Sequence, residues 1–272
     1  MIRILLSMLL FFCINSYAKS QPHTVYLYNI TKQESVIANH IDDVRPIASI
    51  TKLMTAVVSL DYTRDMNERL MLSRKAGSSL PRQKYPRGDI LNAMLVRSDN
   101  GSAETIAEHY PGGREEFLSA MNSKAREIGM TETHFDDPTG LLATNISTAK
   151  DLSILLKYAL RYEHIKKISI KKHTIVEVQY KKKIRKINLN NTNSPILFEF
   201  DNVLVTKTGY TSKAGKCIAM VVEKGNQKYT IVILGAKTVA QRIDLIKDLM
   251  YNHLNDDEII IEAEPPPLGN PI

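Results

Sequence analysis

Residues 45–56 read RPIASITKLMTA, and the fold and chemistry of the chain turn on how this stretch is taken. Apolar positions recur at spacings of three and four through ITKLMTAVVSLDYT, so an amphipathic or largely buried helix begins beside Ser49, just after Pro46. On that helix Ser49 and Lys52 share a face. A serine in the first turn lies among unpaired backbone N–H groups at the positive end of the helix dipole, and such groups can hold an oxyanion. A lysine one turn on can take the serine's proton if it is neutral, a state that burial and a second nearby cation would favour. Taken alone, Ser-x-x-Lys is short and common, and it reads more simply as a capping serine beside a solvated lysine.

Working outward, VYLYNI (25–30) and ESVIANH (34–40) alternate like strands and form an expected hairpin ahead of the helix. Beyond it the middle of the chain is helical: DILNAMLV (89–96), SAETIAEHY (102–110), GREEFLSAMNSKAREIG (113–129) with Gly129 as C-cap, and STAKDLSILLKYALRY (147–162) with Ser147 or Thr148 as N-cap. From about 165 the pattern turns to β, through KKHTIVEVQY and KKKIRKINLN to the stronger NVLVTKTGY, CIAMVVEKG and QKYTIVILG, with a turn at EKGN (223–226). AQRIDLIKDLMYNHL closes the chain as a helix. Strands at both ends with helices between predict an α+β fold, one antiparallel sheet built from both termini, with a helical lobe at roughly 65–160 inserted in it.

The first eighteen residues, MIRILLSMLLFFCINSYA, read as a cleaved secretory signal: Arg3, an apolar run, then small residues at Ser16 and Ala18. Phe12 before Cys13 is too bulky for a lipobox. Cleavage would leave a domain at 19–262, a Pro-rich tail at 263–272 and a single cysteine, Cys217, so no intramolecular disulfide is expected. Losing Arg3 takes the formal charge from +7 to +6, which suits an anionic envelope polymer or membrane surface without specifying either. The expected location is periplasmic or secreted, with no stable membrane anchor after cleavage.

Two further stretches change the weight of Ser49 and Lys52. Ser98-Asp99-Asn100 lies between two helices, where a loop can present a hydroxyl and an amide to a cleft. Lys207-Thr208-Gly209 lies late in a strand, offering a fixed cation, a hydroxyl and an edge without a side chain, against which an extended peptide can pair. Each has an ordinary reading, as a helix N-cap and a strand end. In this order and on these elements the three sets are those of the penicillin-binding proteins and class A β-lactamases.

The chain resembles the low-molecular-mass penicillin-binding proteins, and within them the D-alanyl-D-alanine carboxypeptidase and endopeptidase group. The resemblance rests on RPIASITKLMTA, LVRSDNGSAETIAEH, FDDPTGL, STAKDL, NTNSPIL and TKTGYTSKAGKC and spans about 24–250. It implies a serine DD-peptidase with a β-lactamase/DD-peptidase-like fold, acting on peptidoglycan stem peptides and blocked covalently by β-lactam antibiotics. It further implies Ser49 as acylated nucleophile, Lys52 as its base and Ser98 as proton relay. Asn100 would hold a substrate amide, Lys207 the proton network, and Thr208 beside Gly209 the terminal carboxylate. The backbone N–H groups of Ser49 and Tyr210 would form the oxyanion hole. Arg242 could bind a carboxylate, although a surface helix arginine is the preferred reading. No metal or organic cofactor is implied. The chain ends 63 residues after Gly209, short of the added β domain and amphipathic anchor of the membrane-bound carboxypeptidases, so the endopeptidase branch is expected, with the carboxypeptidase as alternative.

Other signals are set aside. A class A β-lactamase needs a deacylating glutamate between SDN and KTG; EFDN (199–202) sits just before KTG and is read as chance. GGREEF (112–117) opens a helix in an exported chain with no nucleotide supply. HFD (134–136) reads as loop rather than zinc site. No nucleic-acid-binding module is present. The run from Lys166 to Lys186 holds nine Lys or Arg against one Glu and reads either as an attractor for anionic polymer or as a solvated hairpin kept from aggregating by its charge. A non-catalytic penicillin-binding sensor is the rival from outside the enzymes.

Overall fold

The computed structural model describes residues 22–254; the expected signal peptide and Pro-rich tail lie outside the described residues. The chain opens with strands β1 (Thr24–Asn29), β2 (Glu34–Asn39) and β3 (Arg45–Pro46), then a single 3-10 turn, Ala48–Ile50, and helix α1 (Thr51–Tyr62). Short strands β4 (Arg69–Met71) and β5 (Lys84–Pro86) lead to α2 (Arg87–Val96), α3 (Asn100–Glu108) and α4 (Gly113–Glu127). Next come β6 (Ile146–Ser147), α5 (Ala149–Ala159), α6 (Glu163–Ser169), the hairpin β7 (His173–Tyr180) and β8 (Lys183–Asn190), and α7 (Ser194–Glu199). Strands β9 (Val203–Thr211), β10 (Gly215–Lys224) and β11 (Gln227–Ala236) precede the last helix, α8 (Val239–Asn252).

Both ends of the chain build one five-stranded antiparallel sheet, ordered β2-β1-β11-β10-β9. Its central strands are apolar on both faces because both are covered. In β10, Cys217, Ala219 and Val221 join the core shared with α1 and the helical lobe. Ile218, Met220 and Val222 join a second core, which α7 and α8 cover with Ile196, Ile246, Leu249 and Met250. Strand β9 is an edge, with β10 on one side only. Helix α1 is buried from Thr51 to Leu60, so it runs through the centre of the molecule rather than lying on it.

The local signals hold at several ends. Gly129 takes φ +88°, the Met130 N–H bonds Ala125 O (2.9 Å) and the Gly129 N–H bonds Arg126 O (3.1 Å), a Schellman closure of α4. Thr148 Oγ1 accepts the Asp151 N–H (3.1 Å) at the start of α5. Gly225, φ +56°, opens the two-residue turn between β10 and β11.

Three expectations need correction. The helix expected over 147–162 breaks after Ala159, because Tyr162 leaves helical geometry to bury its ring and donate to Asp61 Oδ1 (2.5 Å). A second helix, α6, then occupies 163–169, where β structure was expected; Ile165 and Ile168 form its buried face between lysines that obscured the spacing. The hairpin β7–β8 pairs only with itself and does not extend the main sheet. Only Leu189 of β8 is buried, so the strand offers little apolar surface to pack against the sheet's covering layers. Among the described residues no helix is long and apolar enough to cross a membrane.

Candidate active site

Ser49 is the middle residue of the 3-10 turn ahead of α1, not the cap of that helix, which has no side-chain cap. The turn is held in an uncommon shape: Ala48 takes φ +47°, which for a residue with a Cβ costs on the order of 1–3 kcal/mol and persists only where neighbours enforce it. Two glycines are those neighbours. At Gly140 (φ +80°) a Cβ would stand 1.9 Å from Ala48 O, and at Gly209 on β9 a Cβ would stand 2.8 Å from Ile47 O. Gly209 therefore lets the edge strand close on the turn of the chain's own serine, a role nearer home than the bare strand edge expected from sequence.

Lys52 is fully buried, and burial pulls its ammonium down to about 7 against the opposing pull of Asp137, Asp99 and Glu104. Its Nζ lies 2.9 Å from Ser49 Oγ, 2.8 Å from Asn100 Oδ1 and 2.6 Å from Thr139 O. Two of those partners are carbonyl oxygens that can only accept, and the third is a hydroxyl. A neutral amine has two N–H bonds and one lone pair. Both N–H bonds are satisfied by Thr139 and Asn100, leaving the lone pair for the Ser49 hydroxyl proton, which is the arrangement a general base needs.

Asp99 caps α3 through Oδ1, which accepts the Ser102 N–H (2.8 Å), so the ordinary reading of SDN is correct for its middle residue. Of the flanking residues, Ser98 faces the cleft and Asn100 turns its amide oxygen to Lys52. Ser98 is held at φ +63°, and its Oγ lies 2.9 Å from Lys207 Nζ, which also donates to Thr208 O (2.9 Å). Burial, then Lys52, then Arg242 push the Lys207 ammonium well below its usual value. The second cation thus acts on Lys207, whereas burial is what lowers Lys52. Thr208 Oγ1 donates to Thr192 Oγ1 (2.6 Å).

A cleft of ≈ 300 Å³ brings Ser49, Ser98, Thr208 and Gly209 to one surface, with Lys216 and Arg242 along its wall. Among the described residues no acidic side chain lines it. A larger hollow of ≈ 380 Å³ between β5, α2 and β7 holds none of these groups, so size does not mark the chemistry. Arg242 is not the surface residue expected: it is 5% exposed, and among the described residues its Nη1 makes only a long bond to Cys217 O (3.4 Å) and its Nε has no partner. Tyr210 belongs to the cleft, with its side chain outward.

Sequence reasoning missed the residues that shape the loop over Lys52. Asp137 Oδ1 accepts from Thr139 Oγ1 (2.6 Å) and the Gly140 N–H (2.6 Å), and Oδ2 from the Leu142 N–H (2.7 Å). Asn145 donates to Asp137 O (2.8 Å) and Thr51 Oγ1 (3.1 Å), tying the loop to α1. FDDPTGL signals a turn, but nothing in its letters says that the Thr139 carbonyl meets Lys52, 87 positions earlier. Glu199, the glutamate of EFDN, is exposed on α7 and bonds Lys247 Nζ (2.6 Å) and the Tyr251 hydroxyl (2.9 Å), away from the cleft. His134 and Asp136 bond each other at the surface (2.9 Å).

The chain is similar to known proteins in sequence and in fold. The pattern of the family described as D-alanyl-D-alanine carboxypeptidase matches residues 27–238. A D-alanyl-D-alanine endopeptidase of Escherichia coli (strain K12) is 34% identical over 232 residues, 80% of this chain and 73% of the relative. The D-alanyl-D-alanine carboxypeptidase DacF of Bacillus subtilis (strain 168) is 33% identical over 207 residues, 72% of this chain but 52% of the relative. Among solved structures, penicillin-binding protein D2 from Listeria monocytogenes in its ampicillin-bound form superposes with a TM-score of 0.73 at 28% identity, covering 84% of this chain and 95% of that one.

Proposed function

Because the chain belongs to the D-alanyl-D-alanine carboxypeptidase family of serine peptidases, we propose that it cleaves the D-alanyl bond of peptidoglycan cross-links, as an endopeptidase working outside the inner membrane through an acyl-enzyme on Ser49. The observation that carries this reading is the contact of Ser49 Oγ with a buried Lys52 whose other two partners are carbonyls.

Ser49 Oγ attacks the D-alanyl carbonyl as its proton passes to Lys52. The C–O bond forms, and the backbone N–H groups of Ser49 and Tyr210 hold the oxyanion. The proton then travels by way of Ser98, which Lys207 holds in place, to the amine as the C–N bond breaks. Asn100 positions the substrate amide while its carbonyl keeps Lys52 oriented. Thr208 and Arg242 take the carboxylate next to the leaving amine; the unpartnered Arg242 Nε in a wall without acids supports that role. Water then attacks the acyl carbonyl as its proton passes to Lys52; the ester bond to Ser49 Oγ breaks, the peptide leaves as a carboxylic acid, and Oγ recovers its proton from Lys52. A β-lactam enters the same step and stays on Ser49, since no glutamate of the described cleft stands ready to activate water against it. The endopeptidase preference is supported by the relatives: three D-alanyl-D-alanine endopeptidases are 34%, 36% and 32% identical to this chain.

The test is one digestion of cross-linked dimer and pentapeptide monomer muropeptides, with Ser49→Ala as control. Conversion of dimer to monomer by the wild type alone is the expected result. Loss of one alanine from the pentapeptide with the dimer intact would make the protein a carboxypeptidase. Inactivity on both would favour a penicillin-binding sensor, and rapid nitrocefin turnover a β-lactamase.

A further inference from the structure

The cleft wall carries a cation that the chemistry above does not use. Lys216, the second residue of β10, lies directly opposite Tyr210 on β9, and its Nζ stands 3.0 Å from the centre of the Tyr210 ring. No carboxylate of the described residues pairs with it, and none lines the cleft. Tyr210 itself is 58% exposed, a large aromatic ring left at the mouth of the site with this ammonium against it.

Position fixes what this pair can read. Thr208 and Tyr210 are two residues apart on one strand, so they share a face and stand about 7 Å apart along it. Lys216 pairs with Tyr210 and Ile218 with Thr208, placing the ammonium one strand period beyond the hydroxyl assigned to the carboxylate next to the leaving amine. When the leaving group is a lone D-alanine, that carboxylate ends the molecule and nothing reaches Lys216. When it is the side-chain amine of a cross-linking diamino acid, the molecule continues along the side chain into a second stem peptide. That stem carries further carboxylates, and Lys216 stands beyond Thr208 on the same cleft wall as a charge match for one of them.

We infer that Lys216, steadied by the Tyr210 ring, is a specificity-determining residue that binds a carboxylate of the acceptor stem in cross-linked substrates. The inference rests on the endopeptidase reading and deepens it, by naming what separates a cross-link from a free pentapeptide at this site. The cation–π contact keeps the ammonium over the cleft instead of swinging into water, and it lowers the ordering cost of binding.

The test compares kcat/KM for cross-linked dimer with that for pentapeptide in the wild type, Lys216→Gln and Lys216→Arg. Lys216→Gln should lower the dimer-to-pentapeptide ratio about fivefold, mainly through KM, the size expected of a partly solvated ion pair. Lys216→Arg should restore most of it. A dimer amidated at the acceptor-stem carboxylates other than the one next to the leaving amine should be cleaved by the wild type as poorly as the natural dimer is by Lys216→Gln, and Lys216→Gln should not distinguish the two. A ratio unchanged in Lys216→Gln, or equal discrimination by both proteins against the amidated dimer, would overturn the inference while leaving the endopeptidase reading intact. A wild type that trims pentapeptide and leaves every dimer uncut would overturn both.

Discussion

Lysine is used in two opposite ways in this chain, in the cleft and in the hairpin β7–β8. Lys52 and Lys207 are buried, bonded to carbonyls and hydroxyls, and pushed toward the neutral amine. The lysines and arginine of 181–186 are exposed; Arg185 stacks over the Tyr180 ring at 3.9 Å and Lys186 lies 3.8 Å from Glu177. The same side chain is bonded to carbonyls and hydroxyls where water is excluded and is a solubilising group where it is not. Burial without a carboxylate at contact distance costs stability, because the charged form loses its hydration and gains no counter-ion in return. The cleft is therefore where the fold gives up stability for chemistry, and the hairpin is where sequence change is tolerated.

The largest break in this contrast comes from Lys52→Met. Acylation by penicillin, followed by intact mass, should slow about 1000-fold or more, while the melting temperature stays level or rises because a buried amine is replaced by an apolar chain of similar length. A fall of both together would mean that Lys52 is structural.

Gly209→Ala tests the approach of β9 to the serine turn. The new Cβ meets Ile47 O at 2.8 Å, so the strand or the turn must shift. A displacement of about 1 Å can cost roughly 100-fold in rate, and that is the loss expected, with a smaller fall in melting temperature. Unchanged acylation would show that the contact has slack.

Protonation of Lys52 sharpens the comparison further. Its ammonium titrates at about 7 in the fold, so acylation should fall about tenfold for each pH unit below that value. Asp137→Asn removes the acid that most favours the charged form, so this limb should move to lower pH. Stability follows the same group with a worked sign. Between about 7 and the ordinary lysine value of 10.5, the unfolded chain holds a proton that the folded chain has released, so folding gains stability as pH rises through that window. In Lys52→Met this contribution is absent, which melting curves from pH 7 to 10 would read.

The smallest effects belong to the hairpin. Lys182→Gln and Lys183→Gln should each leave acylation unchanged and move stability by no more than about 0.5 kcal/mol. A clear loss of acylation in either would end the division between the two regions.

How much of this was legible follows the same line between local and long-range causes. The doubly covered strands announce themselves as apolar runs, and α1 by its spacing, so the α+β sheet and its central helix could be read directly. Ser49, Lys52, Ser98, Asn100, Lys207 and Thr208 could be found because three short patterns occur in a known order. The helix break at Tyr162 was not legible, because its cause is Asp61, about a hundred positions away. Burial of Arg242 depends on which face α8 turns to β10, and the polar spacing around it pointed to a surface. Thr139 acts through its backbone carbonyl, which every residue type possesses. The reason for Gly209 became visible only once Ile47 stood beside it.

The most direct test of the Ser49–Lys52 pair is a peptide mass map of the protein after treatment with penicillin. One equivalent of penicilloyl group on the peptide containing Ser49, absent from Ser49→Ala, is the predicted result. A folded wild type that takes up no adduct, or carries it on a peptide without Ser49, would contradict it.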